Sequence, residues 1–191
     1  MDGLQHSLLA PTCGTFILVL GCVDAMMQMV HVRYSAEAKD ENGKSLLPHP
    51  YKPWEVPVSK PDSTQPPPPE IYDKAYRAFK MYENVKEWTF LSLPLMWTFA
   101  VYGKNAVQPC VAFVAASPWI PMTTETMMDS TVVLTSVLYA VANRQYVTGY
   151  IASVDGRIPP FYRRTNIVKF WLTASALSLA YACFQRVNLV A

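Results

Sequence analysis

The hydrophobic positions of this chain fall into long runs that are separated by polar, proline-rich segments. Residues 8–32 form the first run, roughly 25 residues or about 37 Å as a helix, enough to cross a hydrocarbon core of about 30 Å. Further runs cover residues 71–102, 130–152 and 163–184. This pattern predicts an all-α integral membrane protein, a bundle of four transmembrane helices that forms one domain over residues 1–191.

Two segments between the runs are predicted to be insertions outside the helices. Residues 34–70 are polar and proline-rich, and the four prolines at 66–69 favour an extended polyproline II conformation. Residues 103–129 contain an apolar stretch, but Pro109, Pro118 and Pro121 interrupt it. The sequence therefore predicts an interfacial or re-entrant loop there instead of a fifth span.

Composition and charge agree with a membrane location. Only 16% of residues are charged, against about 25% in typical soluble domains. In a four-span topology, only Lys104 and Arg186 of the 16 Lys and Arg residues fall on the side of the N-terminus. The cation-rich loops are therefore predicted to face the cytosol or the mitochondrial matrix, with the chain in the endoplasmic reticulum or the mitochondrial inner membrane.

Other classes of site find no support in the sequence. The four cysteines are widely spaced in apolar surroundings and form no C-x-x-C pair, so we interpret them as packing residues and expect no metal site. The cations lie next to the spans and are balanced by acids in the same loops, so no nucleic-acid partner is expected. The lipid bilayer itself is the first predicted partner.

Asp24 lies inside the first apolar run, where an isolated carboxylate is costly. It is expected to face protein and to form a hydrogen bond with a neighbouring helix, although a functional role stays open.

Polar residues of the second helix share one stripe. Arg77, Lys80, Asn84 and Glu87 recur at helical spacing, and the residues from Trp88 onward are almost all apolar. The stripe therefore runs to the level at which hydrocarbon is expected to begin. A polar stripe at that level needs a partner.

The cation-rich ends of the other helices add candidates for the same site. Arg33 ends the first span, Tyr146 and Tyr150 lie one turn apart on the third helix, and Arg157 follows before Pro159. With the second-helix stripe, these groups suit a small anionic peptide-like ligand, because cations bind carboxylates, Glu87 binds an ammonium, and the amide and phenols bind peptide groups. The alternative is that they are interfacial anchors, which are common at membrane boundaries.

The segments resemble the membrane-associated proteins in eicosanoid and glutathione metabolism (the MAPEG family), which includes microsomal glutathione transferases and leukotriene C4 synthase. The family's R-x-x-x-N-x-x-E motif reads Lys80-x-x-x-Asn84-x-x-Glu87 here, and its third-helix motif reads Gln145-Tyr146-x-x-Gly149-Tyr150 followed by Arg157. Trp97 and Arg33 also lie at positions typical of the family. The resemblance covers the helices but neither insertion.

The resemblance implies a homotrimer that binds glutathione, as co-substrate, between neighbouring subunits. Arg33, Asn84, Glu87, Tyr146 and Tyr150 would hold the tripeptide, with Arg77 compensating for Lys80 at the family's arginine position. Arg157 would stabilise the glutathione thiolate, the nucleophile that attacks lipophilic small molecules arriving from the bilayer. The expected activity is that of a glutathione transferase or peroxidase.

Departures from the family pattern favour an alternative. Lys80 replaces an arginine and lacks its bidentate fork, and the insertions lie on opposite sides of the predicted membrane. These features are typical of a non-catalytic accessory subunit with the family fold, in a larger membrane complex such as a mitochondrial respiratory complex.

Overall fold

A computed structural model describes residues 2–39, 41–43, 47, 70–115, 123–153 and 155–190. In these residues the chain forms four α-helices, which are α1 (Asp2–Tyr34), α2 (Glu70–Ala115), α3 (Thr124–Ala152) and α4 (Ile158–Val190). Short 3₁₀ turns at Ala36–Ala38 and Asp155–Arg157 follow α1 and precede α4. The predicted all-α four-helix bundle is confirmed.

The second helix is longer than the sequence predicted. It was expected to end at residue 102, before a loop over residues 103–129, but α2 continues through Pro109 to Ala115. The loop prediction was wrong for residues 103–115, because an interior proline removes one helical hydrogen bond without necessarily ending the helix. Residues 116–122 lie outside the described residues, as do the predicted polyproline segment at 66–69 and most of the first insertion.

The third helix begins six residues before the predicted start at residue 130. Thr123 has an extended backbone, and its Oγ1 accepts a hydrogen bond from the Thr126 backbone N–H at 3.2 Å. This bond satisfies one of the free N–H groups of the first turn, as N-caps do. At the other junction, Pro159 and Pro160 occupy the first turn of α4, a position that proline tolerates.

The helices pack as an antiparallel bundle in which α2 and α3 each contact the other three helices. Trp171 of α4 donates a hydrogen bond to Thr135 of α3, whereas the earlier Arg164 meets the later Asn143, so these helices run in opposite directions. This arrangement brings the end of α1, the first half of α2 and the end of α3 to one end of the bundle. We call it the polar end.

The buried core has two main parts. The larger part fills the end of the bundle opposite to the polar end and contains Ala10, Leu18, Met96, Phe99, Ala100, Met128, Val132, Tyr139, Val168 and Trp171. The smaller part lies at the polar end and contains Ala25, Met81, Val85, Tyr146, Val147 and Tyr150. Both predicted site tyrosines are therefore core residues of α3, packed against α2.

Large apolar side chains are also exposed on every helix. Phe16 on α1 and Phe90 on α2 have 67% and 74% of their surface exposed, and Leu134 on α3 and Leu177 on α4 are exposed as well. Within the described residues, one segment, Leu8–Tyr34, is long and apolar enough by length and composition to cross a membrane. Signal sequences and core helices of soluble proteins share those two properties.

Candidate functional site

Tyr150 and Arg157 form the centre of the predicted site. Arg157 lies in the 3₁₀ turn that connects α3 to α4, and its Nη1 donates a hydrogen bond to the Tyr150 hydroxyl at 3.1 Å. Its guanidinium carbon is also 5.0 Å from the centre of the Tyr150 ring. Tyr150 is buried but Arg157 is only half-buried, so the guanidinium keeps access to solvent or ligand.

A close backbone contact fixes the turn that carries Arg157. A Cβ atom placed on Gly149 would lie 2.3 Å from the carbonyl oxygen of Gly156, so only glycine fits at this position of α3. The Gly156 backbone N–H also donates a hydrogen bond to Ser153 Oγ at 2.9 Å. The element that approaches α3 at Gly149 is therefore the 3₁₀ turn.

Arg77 reaches the same region from α2. Its Nε and Nη2 both donate to the backbone carbonyl of Ile151 at 3.4 Å. This carbonyl belongs to the last turn of α3, where helices have unpaired acceptors and a partial negative charge. Arg77 therefore joins α2 to the end of α3, at the residue that follows Tyr150 in sequence.

The remaining residues of the second-helix stripe are half-buried, as Lys80 and Asn84 are, or exposed, as Glu87 is. Glu87 follows the buried Ala78 by nine residues, about half a helical circumference, and it is exposed. Asn84 is half-buried, and the Lys80 ammonium lies 5.9 Å and 5.8 Å from the ring centres of Tyr76 and Phe79 on its own helix. Among the described residues, no hydrogen bond links Asn84 or Glu87 to Tyr150 or Arg157.

The structure thus divides the predicted site into two groups within one chain. Arg77, Tyr150 and Arg157 come together at the end of α3, with Tyr146 one turn deeper. Lys80, Asn84 and Glu87 form the second group on α2, half-buried or exposed, and Arg33 is half-buried near the end of α1. A ligand that contacts both groups must reach around α2 or lie between α2 and another protein surface.

Sequence reasoning missed Arg164, which is fully buried at the polar end. Its guanidinium carbon lies 4.1 Å from the Tyr146 ring centre, 5.3 Å from that of Trp88 and 5.9 Å from that of Phe161. Its Nη1 donates to Asn143 Oδ1 at 3.1 Å. The sequence signal was the spacing of Asn143 and Tyr146, which lie on one face of α3 and offer a guanidinium an amide oxygen and a ring.

A layer of ionic and polar contacts crosses the bundle at the same level. Arg144 of α3 pairs with Asp24 of α1, and Arg163 of α4 donates to Gln145 Oε1 at 2.7 Å. The prediction that Asp24 bonds to a neighbouring helix is confirmed. With Arg164 and Asn143, these contacts define a polar layer that separates the apolar part of the bundle from the polar end.

The described thiols form no disulfide with one another, and Cys13 and Cys183 are exposed while Cys22 is half-buried. In the described part of the chain, no group of three or more His, Cys, Asp or Glu side chains is placed to hold a metal ion.

No protein-family model matches this chain, and no curated protein matches it significantly in sequence.

Proposed function

We propose that this chain is an integral membrane protein of the MAPEG type that binds glutathione at its polar end and conjugates it to, or uses it to reduce, lipophilic substrates. The membrane part of the proposal rests on the exposed apolar side chains of all the described helices. On α1, α2, α3 and α4 they include Phe16, Phe90, Leu134 and Leu177, all on the same side of the polar layer. Exposed apolar surface this extensive is typical of proteins that face lipid or a large partner.

The dimensions of this apolar part also fit a bilayer. The segment of α4 from Arg164 to Phe184 covers about 30 Å of helix, the thickness of a typical hydrocarbon core. The polar layer then lies at one boundary, where Asp24 and the arginines reach headgroups and water. The Tyr150–Arg157 pair is just beyond that boundary, within reach of both a water-soluble thiol and a lipophilic substrate.

The single observation that carries the glutathione proposal is the half-buried Arg157 held by Tyr150. A fixed guanidinium stabilises a thiolate relative to the thiol, and the thiolate is the reactive form. In a transferase step the thiolate sulfur forms a bond to the electrophilic carbon of the substrate, whose leaving group departs with the bonding electron pair. Tyr150 orients the guanidinium for this step.

The separation of Asn84 and Glu87 from the Tyr150–Arg157 pair supports a site between copies of the chain. These groups suit the ammonium and peptide groups of a tripeptide, but Glu87 is exposed, and neither group is hydrogen-bonded to Tyr150 or Arg157 among the described residues. A second copy packed against α2 would bring its own Tyr150–Arg157 pair toward them. The proposed assembly is therefore a homo-oligomer, as the trimers of the resembled family are.

A second candidate function is that of a non-catalytic accessory subunit in a large membrane complex. The observation that favours it is that two cations predicted to bind the ligand instead contact other groups of the same chain. Arg77 is occupied by the Ile151 carbonyl, and Lys80 rests on Tyr76 and Phe79. In this alternative the exposed apolar faces contact other subunits.

The decisive measurement is the native mass of the protein extracted gently from its own membrane, with glutathione-binding calorimetry on the same fraction. We expect a homotrimer-sized particle that releases or absorbs heat on binding glutathione. A much larger particle without glutathione heat would instead establish the accessory-subunit candidate.

The residue assignment is tested by Arg157→Ala, with Arg163→Ala as the matched control. Arg163 is an exposed arginine of the same end that bonds only to Gln145 among the described residues. Loss of one key electrostatic contact lowers turnover by about two orders of magnitude, so we expect that loss for Arg157→Ala and near-normal turnover for the control. Equal turnover in both variants would remove Arg157 from the mechanism.

A further inference from the structure

A groove between α1 and α3 lies at the end of the bundle opposite to the polar end. Its volume is about 530 Å³, within the range of about 300–1,000 Å³ that is typical of small-molecule pockets. Leu9 and Cys13 are among the residues that line it from α1, and six residues line it from the first half of α3. One of these six, Asp129, lies about 31 Å along the helix from Tyr150, so the groove is separate from the candidate functional site.

The groove has a polar end and an apolar end. On α3 its polar residues come first, at Thr126, Asp129 and Ser130, and aliphatic residues follow as far as Val137. The lining from Thr126 to Val137 covers about 16 Å of helix. This order suits an amphiphile that has one apolar chain and a polar head.

Asp129 determines the charge that the head must carry. It is half-buried, and no salt bridge among the described residues involves it. Its carboxylate repels an anionic head and attracts a cationic one.

Two hydroxyl groups add hydrogen-bond acceptors at the same end of the groove. The Thr126 hydroxyl shares one hydrogen bond with the Thr123 hydroxyl at 2.8 Å, which leaves it a lone pair, and the Ser130 hydroxyl also lines the groove. A protonated primary amine has three N–H donors, which match the three oxygen-bearing side chains of this end.

We infer that this groove binds a long-chain primary amine, with the alkyl chain along Val133 and Val137 and the ammonium group at Asp129. The volume favours a molecule with one alkyl chain over a phospholipid with two. Leu134 and Val137 are 58% and 41% exposed, so the apolar end of the groove is open along one side and the chain can enter there. This inference does not depend on the proposed function.

The test measures how fast N-ethylmaleimide labels Cys13 in the full chain, in micelles of a nonionic detergent. Cys13 is exposed and flanks the apolar end of the groove, because its neighbour Gly14 lies against Ser136 of α3. Cys183 of α4 is also exposed and does not line the groove, so it serves as the internal control. With both rates read by peptide mass spectrometry, we expect tetradecylamine to slow the labelling of Cys13 in a saturable way and to leave that of Cys183 unchanged.

Tetradecanol is the matched control ligand, because it has the same chain without the charge. We expect it to protect Cys13 only at a concentration about tenfold higher, the difference that one hydrogen bond to a charged group makes. Equal protection by both compounds would show that the groove takes any apolar chain and would overturn the proposal. Absence of protection by the amine would overturn it as well.

Two variants assign the protection to the groove. Asp129→Asn keeps the side-chain shape without the charge, and we expect it to raise the tetradecylamine concentration for half-protection about tenfold without changing that of tetradecanol. Its control is Asp155→Asn, at an exposed acid of the polar end, which should behave as the wild type. Val137→Trp, at a partly exposed position that tolerates a larger side chain, fills the apolar end and should weaken protection by both compounds. Unchanged tetradecylamine protection in either Asp129→Asn or Val137→Trp contradicts the inference.

Discussion

Two arginine–tyrosine pairs, whose tyrosines lie one helical turn apart on α3, differ in their burial and in the contact that joins the arginine to the tyrosine. Tyr146 is stacked against Arg164, with the guanidinium carbon 4.1 Å from its ring centre and no exposed surface on the arginine. Tyr150 accepts a hydrogen bond from Arg157 at 3.1 Å, and that arginine is only half-buried. We call the buried Tyr146–Arg164 pair the interior pair and the half-buried Tyr150–Arg157 pair the rim pair.

The difference follows from the element that supplies each arginine. Arg164 comes from α4, two turns into a helix whose direction is set by packing, so its side chain must enter the bundle. Arg157 comes from a turn that the Gly149–Gly156 contact holds against α3. A buried guanidinium has lost its hydration and is needed for packing, whereas a half-buried one can exchange water for a ligand. The rim pair is therefore the one that the proposed function uses.

The largest predicted effect is a difference between the two pairs in what each contributes to the free energy of unfolding. Arg164→Ala is expected to lower the free energy of unfolding by about 3 kcal/mol, because it empties the space between the aromatic rings and leaves the buried Asn143 Oδ1 without its donor. Arg157→Ala is expected to lower it by less than about 1 kcal/mol, since the lost hydrogen bond is partly solvated. Reversible unfolding in detergent, followed by far-ultraviolet circular dichroism, measures both. Equal losses of unfolding free energy in the two variants would mean that both pairs contribute equally to stability.

A smaller loss of stability is expected from a substitution that displaces only the 3₁₀ turn. Gly149→Ala places a Cβ against the Gly156 carbonyl and must displace the turn, at a cost of about 2 kcal/mol. The matched control is Gly21→Ala in α1, whose Cβ would meet only Asn143 Nδ2 at an ordinary 3.5 Å. This control should be neutral or slightly stabilising, since alanine favours helix over glycine. If thermal midpoints of both variants equal that of the wild type, the turn is not held by this contact.

Hydrophobic periodicity was sufficient to predict the helices and their antiparallel order. It also predicted that Asp24 bonds to a neighbouring helix, because a carboxylate inside an apolar run has few other solutions. It failed at residues 103–115, where prolines suggested a loop and the helix continues. An interior proline costs a helix one backbone hydrogen bond on average, and a long helix remains stable without that bond.

The candidate site was only partly predictable. The spacing of Arg77, Lys80, Asn84 and Glu87 correctly indicated one stripe, but spacing does not say which way a stripe faces. The stripe turned out to lie beside and opposite the packed positions Met81 and Val85. Arg164 was not among the predicted site residues, because its burial depends on Trp88, Tyr146 and Phe161, which three different helices bring together. The spacing of Asn143 and Tyr146 was the one local signal, and it does not show that rings from α2 and α4 meet at the same place.

The smallest predicted effect tests the rim pair by its hydrogen bond. Tyr150→Phe removes the hydroxyl that accepts from Arg157 but leaves the ring, over which the guanidinium carbon lies at 5.0 Å. We expect a stability loss of about 1 kcal/mol or less, with a coupling energy of similar size to Arg157→Met in a double-mutant cycle. Tyr146→Phe cycled with Arg157→Met serves as the control and should show coupling near zero, because the stacked partner of Tyr146 is Arg164. Equal coupling in both cycles would show that the two pairs form one network, and the division between an interior pair and a rim pair would then be wrong.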